Sequence, residues 1–326
     1  MRIALSFLLV ASVVIFVLTF MPKGFSESSD NLAAVAFQII SDGDSIMEVE
    51  EIPTQGPKAS ILFVGDIMLG RDIESKRDKR GGDYPFGNVT AEFDKYDLVF
   101  GNLEGPILSD HKKTQAGSMS FSFDESAAES LSKAGVDIVS LSNNHTADQG
   151  QSGLIETINF LTDQSVLPSG HPNVIRREDV TYANLNGYQI VFVSLNFTYG
   201  YGGLDSAASL VRELRGDSQE AFLVVSVHWG DEYQTKSNAR QREAARLLID
   251  NGVDLIIGSH PHVVQEMETY KSKLIFYSLG NFIFDQYFSA DTQKGLAVGI
   301  EIEGERVTVR PISVEIVQGQ PRFVNN

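Results

Sequence analysis

Five apolar runs in this chain each stop at a polar cluster, and that recurrence constrains the fold more than any other feature. ASILFVG closes on Asp66, and YDLVF runs into Gly-Asn-Leu-Glu at 101–104. VDIVSLS runs into Asn-Asn-His at 143–145, FLVVSV into His228-Trp229-Gly230, and VDLIIGS into His260-Pro261-His262. Short runs rich in branched residues and bounded by glycine and polar groups read as buried strands. Between them, 123–135, 150–165 and 237–252 carry the spacing of helices. Asp124 is the expected cap of the first helix and Ser237 or Asn238 that of the third, with Gly135 and Gly252 as stops. Strands alternating with helices predict an α/β architecture. Residues 187–196 and 272–282 add strands, and 295–317 alternates with period two about Gly304, which predicts a C-terminal antiparallel hairpin. In α/β folds the carboxyl ends of the strands line the site, so the five clusters are expected to converge.

The residue types in those clusters narrow the chemistry. The chain has no cysteine, which excludes disulfides and thiolate zinc sites. Any metal must therefore be held by His, Asp, Glu or Asn. Of its six histidines, His145, His228, His260 and His262 all fall in the clusters. One histidine at a strand end is most often a core or surface residue satisfied by hydrogen bonds. Several at equivalent strand ends, beside glycine, asparagine and carboxylate, point instead to a metal site. Asp66 alone would be an ordinary Gly-Asp turn, but Glu104 is placed where a carboxylate could bridge two ions about 3.5–4 Å apart. Nitrogen and oxygen donors without sulfur suit Zn, Mn or Fe. A net charge of −17 repels nucleic acid, which is excluded as a partner. It repels acidic polymers too, unless bound metal reverses the local sign.

The amino-terminal stretch carries a separate signal. Ile3–Met21 has no charged residue and ends at Pro22-Lys23. A run of this length can cross a bilayer as a helix. No small-residue cleavage pattern follows promptly, since Ala34-Val35-Ala36 lies well downstream. Residues 1–21 therefore read as an uncleaved membrane anchor, with a cleaved signal segment and a secreted protein as the alternative. Either reading exports the remainder, which places the domain on the extracytoplasmic side of the cell membrane. Residues 22–58, with SESSD, SDGDS and EVEE, read as an acidic flexible linker. The folded domain is expected over 59–318, with 319–326 as a tail.

Taken in order, GDIMLGR, GNLEGP, SNNHTADQG, HWGDEY, GSHPHVVQ and YSLGNFIFDQ resemble the CapA/PgsA family of capsule and poly-γ-glutamate synthesis proteins. That family is similar to the calcineurin-like metallophosphoesterases. The resemblance covers roughly residues 59–315. It implies a metallophosphoesterase-like sandwich of two β-sheets flanked by helices, with two divalent ions at the strand ends. By the same resemblance Asp66 and His262 serve the first ion, Glu104 bridges, and Asn144, His228 and His260 serve the second. His145 is then the catalytic general acid, protonating the leaving group while metal-activated water attacks phosphorus or an acyl carbon. Arg71, Asp148 and Asn281 are placed to orient substrate or ligands, a surface charge pair being the plainer reading of Arg71 and Asp148. Trp229, Glu232 and Asp285 also belong to the resemblance, with structural roles at the rim.

Two positions depart from the phosphoesterase pattern. Met68 stands where a histidine ligand is expected, and Glu104 replaces a shorter aspartate. The first position thus has fewer protein ligands. What the resemblance implies is an exported, membrane-tethered hydrolase of capsule or poly-γ-glutamate biosynthesis. Its partners would be an acidic polymer or phosphorylated substrate and a membrane synthase complex. A non-catalytic polymer-binding subunit and a metal-dependent amide hydrolase trimming polyglutamate are the alternatives.

Overall fold

The computed structural model describes residues 36–39, 58–115 and 117–324. Among them, two sheets stack face to face. The larger sheet runs in the order 36–39, 306–317, 294–303, 58–67, 98–103, 138–140, 167–169, with 281–283 also pairing to 58–67 and 320–324 to 306–317. The smaller runs 267–270, 273–276, 255–259, 222–228, 188–196, 181–185. The strands that end in polar clusters are parallel within each sheet. They are also buried on both faces, which is why they read as unbroken apolar runs rather than alternating ones.

Three apolar layers hold this together. Between the sheets, Ile61, Phe63, Phe100 and Ile300 of the larger meet Ile190, Phe192, Val224 and Ile257 of the smaller. Phe192 stacks on Phe100 at 5.3 Å between ring centroids and lies 6.4 Å from Phe63. Each such ring contributes about 1.5–3 kcal/mol on burial. The outer face of the larger sheet, through Leu62, Val64, Val99 and Val139, packs on Ala127, Leu131, Leu154 and Leu161. Those four come from helices Ser126–Ala134 and Gly150–Asp163. The outer face of the smaller sheet, through Val191, Val193 and Val225, packs on helices Leu204–Asp217 and Ala239–Asp250. The result is the two-sheet sandwich flanked by helices.

The local signals act where the sequence places them, with one shift. Asn238 caps its helix in a reciprocal box with Gln241, which satisfies two otherwise orphan donors. Gly135 ends the 126–134 helix at φ +88°, the left-handed cap that glycine adopts without strain. Asp124 does not occupy the cap position, which falls to Glu125, yet its carboxylate still accepts the Ser126 N–H at 2.9 Å. The hairpin Lys294–Glu303 and Arg306–Val317 turns at Gly304, and Gln320–Val324 adds a further antiparallel strand. Helices Arg71–Arg80 and Leu204–Asp217 lie outside the elements read from the sequence.

One glycine bears directly on the site. A Cβ on Gly65 would lie 2.0 Å from the Gly280 carbonyl oxygen. Its absence lets 281–283 lie against 58–67, with Asn281 opposite Asp66. The anchor or signal segment 1–21 lies outside the described residues. Within 22–58, the described residues are 36–39, a strand parallel to Arg306–Val309, and Lys58 at a strand start. Among the described residues no helix is long and apolar enough to cross a membrane.

Candidate metal centre

The parallel strands of both sheets deliver their polar ends to one buried place. Asp66, Glu104, His145, His228, His260 and His262 are all buried there, and Asn144 is half-buried. The carboxyl end of Leu98–Leu103 supplies two side chains that point the same way, Asn102 and Glu104, because residues two apart on a strand share a face. Asn102 is the hub. Its amide donates to Asp66 Oδ1 at 2.8 Å and lies 3.3 Å from His228 Nδ1, while its oxygen accepts from Asn143 at 3.1 Å. Asn143 in turn accepts from the N–H groups of His145 and Thr146 and from the Thr146 hydroxyl. This folds the SNNH turn so that Asn144 and His145 reach the centre from one side.

On the other side, His228 sits between Ser259 Oγ at 2.8 Å from Nδ1 and Asn144 Oδ1 at 2.8 Å from Nε2. His260 and His262 both have positive φ, +94° and +57°. Such a conformation costs a side-chain-bearing residue about 1–3 kcal/mol, and strain of this kind clusters at functional sites. The strained His-Pro-His turn aims both rings inward. His262 Nδ1 lies 3.0 Å from Asn281 Oδ1 and 3.3 Å from Asp66 Oδ2, and its Nε2 lies 3.6 Å from Glu104 Oε1. Asn281 is itself fixed by donating to Gln286 and to the Thr292 carbonyl.

Electrostatics reflect the crowding of buried titratable groups. Burial, reinforced by the Asp66 charge, pushes the Glu104 carboxyl well above the usual range, against the pull of His262. Burial, then the neighbouring histidines, holds His228 well below its ordinary value. Burial and His262 bring His260 down to about 4. Burial opposes charge on His262 as well, but Glu104 and Asp66 outweigh it and raise the group to about 9. Both oxygens of Glu104 and Nδ1 of His260 are buried with no hydrogen-bond partner. A buried polar atom left unpaired costs about 1–3 kcal/mol, more when charged. Divalent ions would satisfy these orphan atoms, and a sulfur-free set of carboxylates and imidazoles fits Zn, Mn or Fe.

The donors fall into two groups whose ligand atoms lie within 4.8 Å of one another: Asp66, Glu104 and His228, and Glu232, His260 and His262. The resemblance instead divides the histidines so that His228 and His260 share an ion and Glu232 stays at the rim. His145 stands just outside. Its Nε2 is 3.9 Å from Glu104 Oε1, its Nδ1 is 2.8 Å from Asp148 Oδ2, and its ring stacks on Phe121 with centroids 4.0 Å apart. Arg71 is not a surface charge but is buried, paired with Asp285, and lies over the rings of Phe121 and Phe284. Asp148 pairs with His145 rather than with Arg71. Trp229 is fully buried and donates to the Tyr277 carbonyl at 2.9 Å, a packing role.

Asn102, Asn143 and Phe121 contact the centre and are absent from the candidates drawn from sequence. Asn102 was findable, since it precedes Glu104 by two on the same strand end. Phe121 carried no signal, because it arrives from the loop just ahead of the two-residue strand Phe123–Asp124 and not from the carboxyl end of a core strand.

Comparison with known proteins bears on this arrangement. Residues 60–286 match the family described as bacterial capsule synthesis protein PGA_cap. The capsule biosynthesis protein CapA of Bacillus anthracis is 29% identical over 294 residues, covering 83% of this chain and 71% of that one. The PGA biosynthesis protein CapA of Bacillus subtilis is 32% identical over 243 residues, covering 70% of this chain, which spans 63% of its length. A hypothetical protein from Thermus thermophilus has a similar fold, with a TM-score of 0.54 and 19% identity over 79% of this chain and all of that one.

Proposed function

This chain belongs to the family of bacterial capsule synthesis proteins, and we propose that within capsule or poly-glutamate biosynthesis it is a metal-dependent hydrolase held at the outer face of the cell membrane. One observation carries the reading. Glu104 is wholly buried and neither carboxylate oxygen has a hydrogen-bond partner, at the meeting point of His145 and His262. Burying a carboxylate without hydrogen bonds is costly, and a cation at this place would offset that cost.

Asp66, Glu104, Asn144, His228, His260 and His262 would hold two divalent ions, which would supply Lewis acidity and activate water at neutral pH. The chain does the rest. His145 is positioned outside the ligand set with Nε2 toward the centre, which suits a general acid for the leaving group. Asp148 holds its other nitrogen, and Phe121 closes one side of the ring against solvent. The bond assigned to it is a phosphoester, with the γ-glutamyl amide as the alternative on the same atoms. Residues 1–21 are assigned as the membrane anchor, with a synthase complex and an acidic polymer or phosphorylated substrate as partners. The ions also provide the positive charge that a chain of net charge −17 otherwise lacks toward such substrates.

Met68 favours a second reading, a non-catalytic polymer-binding subunit, because it removes one expected ligand. The two are separated on the full chain by measuring bound metal and then hydrolysis of small phosphoesters and of γ-glutamyl polymer. Turnover that requires metal and His145 supports the hydrolase. Bound metal or polymer without turnover of either substrate supports the subunit.

A further inference from the structure

Beyond the Asp66 carboxylate, the first strand exit offers the centre no donor. Ile67, Met68 and Leu69 follow it, all fully buried in the apolar layer, and the Met68 sulfur accepts the Gly70 N–H at 3.2 Å. A thioether is also a poor donor for hard or borderline ions. The donor missing there has to come from elsewhere in the fold if the ion beside His262 is to be well held.

The segment after His228 brings one. Trp229, anchored to Ser259 and Tyr277, starts a short loop. The Tyr233 N–H then donates to the Pro261 carbonyl at 2.8 Å, which clamps this loop onto the His-Pro-His turn. Tyr233 takes a positive φ of +62° to do so. Glu232, immediately before that clamp, is half-buried, and one of its oxygens lies within 4.8 Å of a nitrogen of His260 and one of His262. The histidine side supplies an independent observation, since Nδ1 of His260 is buried and has no partner.

We infer that Glu232 is a metal ligand, completing with His260 and His262 a set that offsets the donor lost at Met68. Two imidazoles and one carboxylate are enough to hold a catalytic zinc-type ion while leaving a position open. Glu104, 3.6 Å from His262 Nε2, would then be available to the set with Asp66 and His228. As an anionic third ligand, Glu232 would make an ion on this side less electrophilic than a neutral one would. The inference rests on the metal centre proposed above, and the experiment separates the two.

Zinc and manganese are titrated calorimetrically into the metal-free full chain and into its Glu232→Gln and Glu232→Asp variants, with bound metal counted by mass spectrometry. Glu232→Gln should lose one ion or bind it about tenfold or more weakly, the scale on which metal sites respond to lost supporting groups. Its metal-free melting temperature should stay at the wild-type value, because Glu232 is half-buried and outside the apolar layers. Glu232→Asp keeps the charge and should fall between. If Glu232→Gln is poorly folded without metal, Glu232→Asp alone decides by the same readout. Unchanged stoichiometry and affinity in the folded variants would overturn the assignment of Glu232 while leaving the centre in place. A wild-type chain that binds no ion would overturn the centre and this ligand with it.

Discussion

His145 Nδ1 lies 2.8 Å from Asp148 Oδ2, and the same oxygen accepts the Phe121 N–H at 2.6 Å. With Asp148 ionised, the ring proton is held on Nδ1, and Nε2 is left facing Glu104 at 3.9 Å. The carboxylate therefore fixes which nitrogen can exchange a proton with substrate. It also ties the ring to the loop that carries Phe121, which stacks on it. Asp148→Asn can present its amide NH₂ to Nδ1 and so favours the wrong tautomer. Turnover should fall at least tenfold with bound metal unchanged, and a pH–rate profile should lose or shift the limb that belongs to the acid.

His145 itself lies outside the two groups of donors at this centre, Asp66, Glu104 and His228, and Glu232, His260 and His262. His145→Ala should therefore keep near-normal metal content and lose on the order of 10²–10⁴ in rate, the usual contribution of a general acid. The loss should shrink for aryl esters, whose leaving groups need little protonation. Loss of metal in this variant would make His145 a ligand, and the division of labour within SNNH would have to be redrawn.

The site was more legible in the sequence than were its supports. Asp66, Glu104, Asn144 and the histidines sit at the ends of strands buried on both faces, and such strands announce themselves as apolar runs. The helix Arg71–Arg80 was hidden for the opposite reason. Its buried face consists of Arg71, Ile73, Glu74 and Arg77, so no apolar period marks it. Glu74 and Arg77 are buried by pairing with His111, Asp124 and Ser126, partners that are remote in sequence. Leu204–Asp217 does show the period, with Ala207, Ala208, Leu210, Val211 and Leu214 buried, and was legible in principle. The contact of Phe121 with His145 depends on tertiary placement of a loop, which local pattern does not encode.

Glu104 couples function to stability. A fully buried carboxylate without hydrogen bonds is a cost to the metal-free fold, and metal binding would remove that cost. Glu104→Gln takes away the charge and keeps the volume. It should abolish or sharply weaken metal binding, while in the metal-free protein the relieved burial cost offsets the lost pairing with His262, so the melt should move by no more than about 1–3 kcal/mol. Thermal melts of both proteins with and without metal provide the check. A marked destabilisation of the metal-free variant would mean that Glu104 is held by its pairing with His262 rather than kept for an ion.

Proton release on metal binding follows from the same pair. Burial and Asp66 push Glu104 well above the carboxylate range, and His262, though burial opposes its charge, is raised to about 9 by Glu104 and Asp66. At neutral pH the metal-free pair thus retains at least one proton. His260, held down at about 4, and His228, held well below its ordinary value, retain none. An ion coordinated by His262 and Glu104 must displace what the pair retains. Affinity should consequently rise as pH increases from 7 toward 9, about tenfold per pH unit for one displaced proton, and level off above it. Calorimetry in buffers of different ionisation enthalpy should report about one proton released per domain at pH 7. The proton belongs to the Glu104–His262 pair, so His262→Gln alone, which removes the group that pulls Glu104 down, should leave much of that release in place, and a variant at His228 should weaken binding without changing the proton count. Binding that is independent of pH across this window would show that the Glu104–His262 pair holds no proton before the metal arrives.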